Sequence, residues 1–315
     1  VTGPAGAAPD PERVELVPPD LAPYRAGNTG VPYYTTLDSG RPGPHVLLNA
    51  LIHGNELCGA VALDRLFRED VRPQRGRLTL GFANVAAYAR FDPRRPALSR
   101  FVDEDLNRVW SRDRLDGAGQ SVELDRARAL RPIMDGVDLL LDLHSMQFAT
   151  APLMLAGPLA KGRALARALG YPEHVVCDAG HADGTRLRDY GAFADPAAAP
   201  AALLLECGQH WRAGTADVAI EGCLRMLALA GMIDRPAPAL PQRVIQVTEA
   251  VTIRTHRFRF ARAFVGMEVV PAAGTTIALD GPRRIVTPYD DCVLIMPSRR
   301  LEPGLTAVRL GRFVP

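Results

Sequence analysis

HVLLNALIHGNELCGAVALDRLF, residues 45–67, decides the fold. HVLLNALI (45–52) is a short apolar run of strand length, and LCGAVALDRLF (57–67) carries apolar residues at helical spacing. The four residues between them, HGNE, turn the chain from one into the other. An α/β pattern therefore begins at Pro44 and can be followed in both directions.

Downstream, LTLGFAN (78–84) reads as a second buried strand and VELDRARALRPIM (122–134) as a helix. VDLLLDL (137–143) is a strand ending at His144. A helix around 159–169 and a short strand near 174–177 follow, then the buried strand ALLLECG (202–208) and a long helix over 215–232. Strands alternating with helices imply a mixed, mostly parallel sheet flanked by helices. Residues 85–120 have no clear period and many Arg, Asp and Pro. Unstructured segments of that length in compact domains are functional or disordered.

Residues 1–32 are rich in Gly, Pro and Ala and read as an irregular lead-in, so the principal α/β domain is expected over 33–240. DRPAPALPQ (234–242) reads as a linker. Beyond it the short runs VIQVTEAVTIRT, FVGMEVV, TIALDG, RRIVTP and DCVLIMP, punctuated by Gly and Pro, predict a small all-β domain over 241–315.

The composition, 47% hydrophobic and 23% charged, is that of a globular protein. A net charge of +2 gives no reason to expect nucleic acid or an anionic membrane as partner. No apolar run approaches the ~20 residues that span a bilayer. Lys161 is the only lysine among 37 Lys+Arg, so the presence of an arginine says little by itself. Five cysteines without a CxxC pair suggest neither a disulfide framework nor a cysteine metal site. The N-terminal stretch lacks the apolar core of a signal peptide, and the expected compartment is the cytoplasm.

The polar residues are placed where an open α/β sheet builds its site, outside the carboxyl ends of strands. Three apolar strands run directly into a residue able to bind a metal or move a proton: His53 after NALI, His144 after LLLDL, and Glu206 after ALLL. His53 and Glu56 stand three residues apart where a loop enters a helix, so both can converge on one point, and Gly54 permits close backbone approach. Two ligands from one turn and a distant third make up a His₂Glu set, which leaves a fourth position for water. Zinc in such a set lowers the pKa of that water to ~7 and polarises a carbonyl. Asp142 lies on the same side of its strand as His144 and can orient it.

HGNE, DEDLNR, DLHS and an E-C-G strand end, in this order, resemble the succinylglutamate desuccinylase/aspartoacylase family, of zinc-carboxypeptidase-like fold. The resemblance covers roughly residues 44–235. It implies one zinc ion per chain, with His53, Glu56 and His144 as ligands. It also implies Glu206 as the glutamate that activates water and later protonates the departing amine, and Arg100 as the arginine that polarises the scissile carbonyl. Asn107 and Arg108 match the pair that holds a substrate carboxylate. Arg186 matches a second such arginine, with Arg188 as its rival. Two departures bear on the substrate: no tyrosine follows Tyr289, and SMQFATAPLML after the third ligand is apolar and unmatched.

The expectation is a zinc-dependent hydrolase of a linear amide bond in a small N-acyl amino acid or related carboxylate. The rival readings are a metallocarboxypeptidase and a non-catalytic zinc or carboxylate-binding protein. His₂-carboxylate sites accept several divalent ions, and the sequence leaves both the choice of metal and homo-oligomerisation open. Blander uses exist for the other polar residues. Asn84 is expected to cap a turn, and His181, Gln209 and His210 to be polar loop residues. The cysteines are expected to be small buried side chains.

Overall fold

The computed structural model describes residues 13–180, 183–236 and 238–314. Along the first part of the chain run β1 (Tyr34–Asp38), β2 (His45–Ala50), α1 (Leu57–Arg68), β3 (Arg77–Phe82), α2 (Val85–Tyr88), α3 (Arg112–Asp116) and α4 (Val122–Met134). They are followed by β4 (Leu139–Met146), β5 (Leu153–Leu155), α5 (Ala160–Leu169), β6 (His174–Cys177), β7 (Ala201–Gln209) and α6 (Gly214–Leu229). The remainder is β8 (Arg243–Thr252), β9 (Phe258–Phe260), β10 (Glu268–Val270), β11 (Thr276–Asp280), β12 (Arg283–Val286), β13 (Cys292–Ile295) and β14 (Thr306–Val314).

Among the described residues eleven strands form one mixed sheet in the order β1-β3-β2-β4-β7-β5-β6-β8-β14-β13-β10. Its centre, β3-β2-β4-β7, is parallel, and the apolar runs read as strands lie there, buried on both faces. Alternation along each strand sorts the residues. Leu141, Leu143, Leu203 and Leu205 face the cluster that includes residues of α1 and α6, while Leu47, Leu140 and Ala202 face the one that includes residues of α4. By the same alternation Asn49, Asp142, His144 and Glu206 fall on the α4 side. That parity places the site.

The structure differs from the sequence reading in several ways. β4 continues through His144 to Met146. β5 occupies part of the unmatched segment and pairs antiparallel with β7. β1 adds an antiparallel edge strand to β3. Residues 85–120 hold α2, α3 and two short 3₁₀ turns rather than one unbroken loop. Within the lead-in, residues 1–12 lie outside the described residues. From residue 13 onward it packs on the body: Leu16 and Leu21 are buried, and Tyr24 stacks on Phe67 with ring centroids 4.4 Å apart.

Among the described residues the regular elements after residue 242 are all strands. β8 pairs in parallel with β6 and so continues the main sheet, and β14, β13 and β10 extend it antiparallel. A separate three-stranded sheet, β12-β11-β9, closes the end. No described helix is long and apolar enough to cross a membrane. All five cysteines are free and buried.

Candidate functional site

The loop from β2 to α1 carries the first two functional groups. Leu51 adopts a left-handed conformation, φ 59°, which turns the chain back towards α1. Gly54 then passes so close to its surroundings that a Cβ there would lie 2.4 Å from Tyr88 N and 2.5 Å from Ser99 O. The Gly54 N–H donates to the Arg100 carbonyl at 3.0 Å, tying this loop to the 85–120 segment. Glu56 occupies the N-cap of α1 without capping it. Its carboxylate turns instead to two histidines.

His53 Nδ1 donates to Glu56 Oε1 at 2.8 Å, and His144 Nδ1 to Glu56 Oε2 at 3.0 Å. The outer nitrogens are also held. His144 Nε2 donates to Asp142 Oδ2 at 2.8 Å, and His53 Nε2 lies 2.9 Å from Asp105 Oδ1. Behind Asp142 the chain of contacts continues inward: Asn49 Nδ2 donates to Asp142 Oδ1 at 2.8 Å, and the Tyr34 hydroxyl to Asn49 Oδ1 at 2.5 Å. A buried hydrogen-bonded chain of this kind fixes an imidazole's orientation.

The electrostatics follow from this packing. Burial acts to neutralise Glu56, but the charges of His53 and His144 outweigh it and hold the carboxyl well below its usual range. Burial likewise opposes charge on His144, and Asp142 and Glu56 overcome it, raising the imidazole well above its usual value. Glu206 behaves oppositely. Burial pushes its carboxyl up to about 8, with Glu56 adding to the shift and His144 and Arg100 opposing it. Its Oε2 is buried with no hydrogen-bond partner among the described residues.

Arg100 reaches the same centre. Its guanidinium donates to Glu56 Oε1 at 3.3 Å and to Asp105 Oδ2 at 3.0 Å, and lies 2.8 Å from His53 Nε2. His210, expected to be a loop residue, is buried and lines the cavity, with Nδ1 2.9 Å from Ser145 Oγ. Burial lowers its pKa to about 4. Asn84 caps α2 as expected, accepting from Ala87 N at 3.2 Å. His181 lies outside the described residues. Gln209 is the last residue of β7 and is buried.

These groups open on a cavity of about 340 Å³. Asn107, Arg108 and Arg186 also line it, so they come to one place with His53, Glu56, Arg100, His144 and Glu206. Their side chains are not equally available. Asn107 Oδ1 accepts from Leu187 N at 2.9 Å, and Arg108 donates from Nε to Asp183 at 3.0 Å. Gly184, with φ 145°, allows the close approach of this loop to Arg108. Arg186 is buried, giving both terminal nitrogens to Asp178 at 3.0 and 2.7 Å and Nε to Asp189 at 2.6 Å. Its rival Arg188 is not among the lining residues and is spent on Asp189 and the carbonyls of Ala156 and Ala202.

Sequence reasoning missed Asp105, the Tyr34–Asn49 support and His210, and left open whether the β-rich tail is an interaction module, a dimer interface or a wall of the site; Met296, Thr306 and Arg309 from that tail line the cavity. Asp105 sits inside the DEDLNR motif and was legible by position. The others depend on which strands become neighbours.

The donor set suits a divalent metal. Among the described residues one ligand atom each from His53, Glu56 and His144 lies within 4.8 Å of the others. Both Nδ1 atoms aim at one carboxylate, and carboxylates hold both Nε2 atoms. Exchange of the Nδ1 protons for a cation leaves that support in place, as metal-binding histidines require.

Comparison with known proteins agrees with the architecture. The family model for the succinylglutamate desuccinylase/aspartoacylase catalytic domain matches residues 42–230. A probable aspartoacylase of Parasynechococcus marenigrum (strain WH8102) is 34% identical over 140 residues, covering 41% of this chain and 45% of that protein. The chain thus aligns with less than half the length of this curated relative. Succinylglutamate desuccinylase from Vibrio parahaemolyticus superposes with a TM-score of 0.69 at 17% identity, over 87% of this chain and 83% of that one. The ectoine utilization protein EutE (DoeB) from Ruegeria pomeroyi, solved with product bound, gives 0.63 at 20% identity, over 88% of each chain. At these identities the structural likeness is one of fold. The family match spans more than half of the chain and includes His53, Glu56, Arg100, Asn107, Arg108, His144 and Glu206, and the chain therefore belongs to the succinylglutamate desuccinylase/aspartoacylase family.

Proposed function

We propose that this protein is a zinc-dependent hydrolase of the linear amide bond in a small N-acyl amino acid or related carboxylate, on a zinc-carboxypeptidase-like scaffold. The observation that carries the reading is the position of Glu206. A buried carboxylate whose Oε2 has no hydrogen-bond partner among the described residues lines the same cavity as a His-Glu-His group. Desolvated carboxylates without partners are costly and are kept where chemistry uses them.

One zinc ion per chain, held by His53, Glu56 and His144, would supply Lewis acidity to the scissile carbonyl and to the attacking water. Glu206 takes a proton from that water as it attacks the acyl carbon, then returns it to the departing amine. A carboxyl shifted towards neutrality suits both transfers. Arg100 donates to the carbonyl oxygen as negative charge grows there. Arg108 and Asn107 hold the substrate carboxylate. Asp142 and Asp105 keep the imidazoles in position. The partner is thus a small molecule, and nothing in the reading calls on nucleic acid or a membrane.

Metal content by mass spectrometry, on wild type, Glu56→Ala and Glu206→Ala, paired with hydrolysis of a panel of N-acyl amino acids and of short peptides, tests this. The expected result is one zinc per chain in wild type and Glu206→Ala, little in Glu56→Ala, and activity on acyl amino acids in wild type alone. Peptide trimming without deacylation points to a carboxypeptidase. Folded wild type that takes up no metal defeats the reading.

A further inference from the structure

Strand β14 carries TAVRLGRFV, and Arg309 stands in it between the fully buried Val308 and Leu310. A guanidinium in the middle of a buried strand has to be compensated, because its desolvation is costly. Arg309 is only 5% exposed, yet it lines the cavity that holds His53, Glu56, His144 and Glu206. Its Nε lies 3.5 Å from Asp178 Oδ2.

Asp178 connects Arg309 to Arg186. The Arg186 fork is committed to Asp178, and its Nε to Asp189. Arg186 therefore has little left with which to meet a ligand, whereas its grip fixes Asp178, and Asp178 in turn fixes Arg309. Arg108 and Glu206 are near enough for their charges to act on Arg309. Apolar side chains of Met146, Leu155 and Leu204 line other parts of the cavity, so the charged wall is localised.

We propose that Arg309 is a specificity-determining residue that binds a substrate carboxylate from the C-terminal side of the cavity, with Asp178 and Arg186 as positioning residues. The inference rests on reading the cavity as the hydrolase site. It moves the second carboxylate-binding role from Arg186 to a strand outside the family's matched region, residues 42–230. A planar guanidinium pre-set by a carboxylate suits bidentate recognition of an acid and gains nothing from a neutral amide of the same shape.

Isothermal titration of the zinc-loaded protein with succinate and with neutral succinamide tests it on wild type, Arg309→Gln and Arg309→Lys. Arg309→Gln should weaken succinate by about tenfold or more and leave succinamide unchanged. Arg309→Lys keeps the buried charge if the glutamine variant fails to fold, and should show a smaller loss confined to succinate. In kinetics the loss should fall on KM for an N-acyl amino acid and spare its carboxamide. Equal succinate affinity in wild type and variants, equal losses for acid and amide, or no succinate binding by wild type overturns the assignment. Succinate binding that depends on Arg309, in a protein that hydrolyses nothing, supports Arg309 and defeats the hydrolase reading. Hydrolysis whose acid preference survives Arg309→Gln and Arg309→Lys does the reverse.

Discussion

His144 and Glu206 are register partners across the parallel strands β4 and β7. Side chains of residues paired in this way point to the same face of the sheet. Asp142 and Leu204, two residues earlier on the same strands, are partners as well, so the support of His144 and the apolar floor beside Glu206 form the next row. The relative placement of a candidate ligand and the candidate base is thereby set by the pairing of β4 with β7.

Glu206→Gln keeps the shape of the side chain and removes its capacity to carry the proton. Turnover of an N-acyl amino acid should fall by roughly 10²–10⁴-fold with zinc content unchanged. A variant with nearly normal turnover would assign the base elsewhere.

Asp142→Asn leaves His144 in place and exchanges its charged acceptor for a neutral amide. Zinc affinity, measured by chelator competition, should weaken by ~10–100-fold. Tyr34→Phe, further along the same chain of contacts, should cost about 1 kcal/mol of stability and weaken zinc less than Asp142→Asn does. Identical zinc affinities in all three proteins would mean that the chain of contacts orients nothing.

Metal-free protein should lose stability as pH rises towards 8, owing to Glu206. Its folded carboxyl is pushed up to about 8 from an ordinary 4.5, so the folded state binds a proton that the unfolded chain has released. That contribution is fully present below the unfolded value and is lost as pH rises through the folded one, at most about 1.4 kcal/mol per pH unit. Glu56 and Asp105, held low, act in the opposite sense and lose stability as pH falls below the ordinary carboxylate range. His144, held high, also loses its contribution as pH rises, and is common to both proteins compared. Urea unfolding of chelator-treated wild type and Glu206→Gln should therefore diverge with rising pH, the wild type falling faster. Parallel curves would contradict the shift.

Gly54→Ala should destabilise the protein by about 1–3 kcal/mol, since its Cβ would meet backbone atoms of Ala87, Tyr88 and Ser99. Activity should fall too, because the same glycine anchors Arg100 through the Arg100 carbonyl. Thermal unfolding with and without zinc, alongside kinetics, checks both effects. An alanine variant as stable and active as wild type would show that the loop has slack.

The positions of the central strands were legible from sequence because a strand buried on both faces must be apolar throughout, and a polar residue at its end stands out. His53, His144 and Glu206 stood out as candidates in that way and Glu56 by its spacing from His53, while the family resemblance pointed to Arg100, Asn107 and Arg108. β1 and β5 gave weak signals, one at an edge and one only three residues long. The extent of β4 past His144 was missed because a histidine reads as a terminator until it has buried partners to accept its protons.

The sequence by itself determined the residue types and the local turns: an apolar strand, a glycine that permits close approach, and an imidazole and a carboxylate three residues apart. Tertiary structure alone decided which of many arginines reach the cavity and what each is tied to. Periodicity carries no information about which strands become neighbours. Parallel pairing of β8 with β6 extends the main sheet, and β14 follows on β8. That long-range pairing brings Arg309 to the cavity lined by His53, Glu56, His144 and Glu206, which lie a hundred or more positions earlier, while Arg186 stays engaged with Asp178 and Asp189.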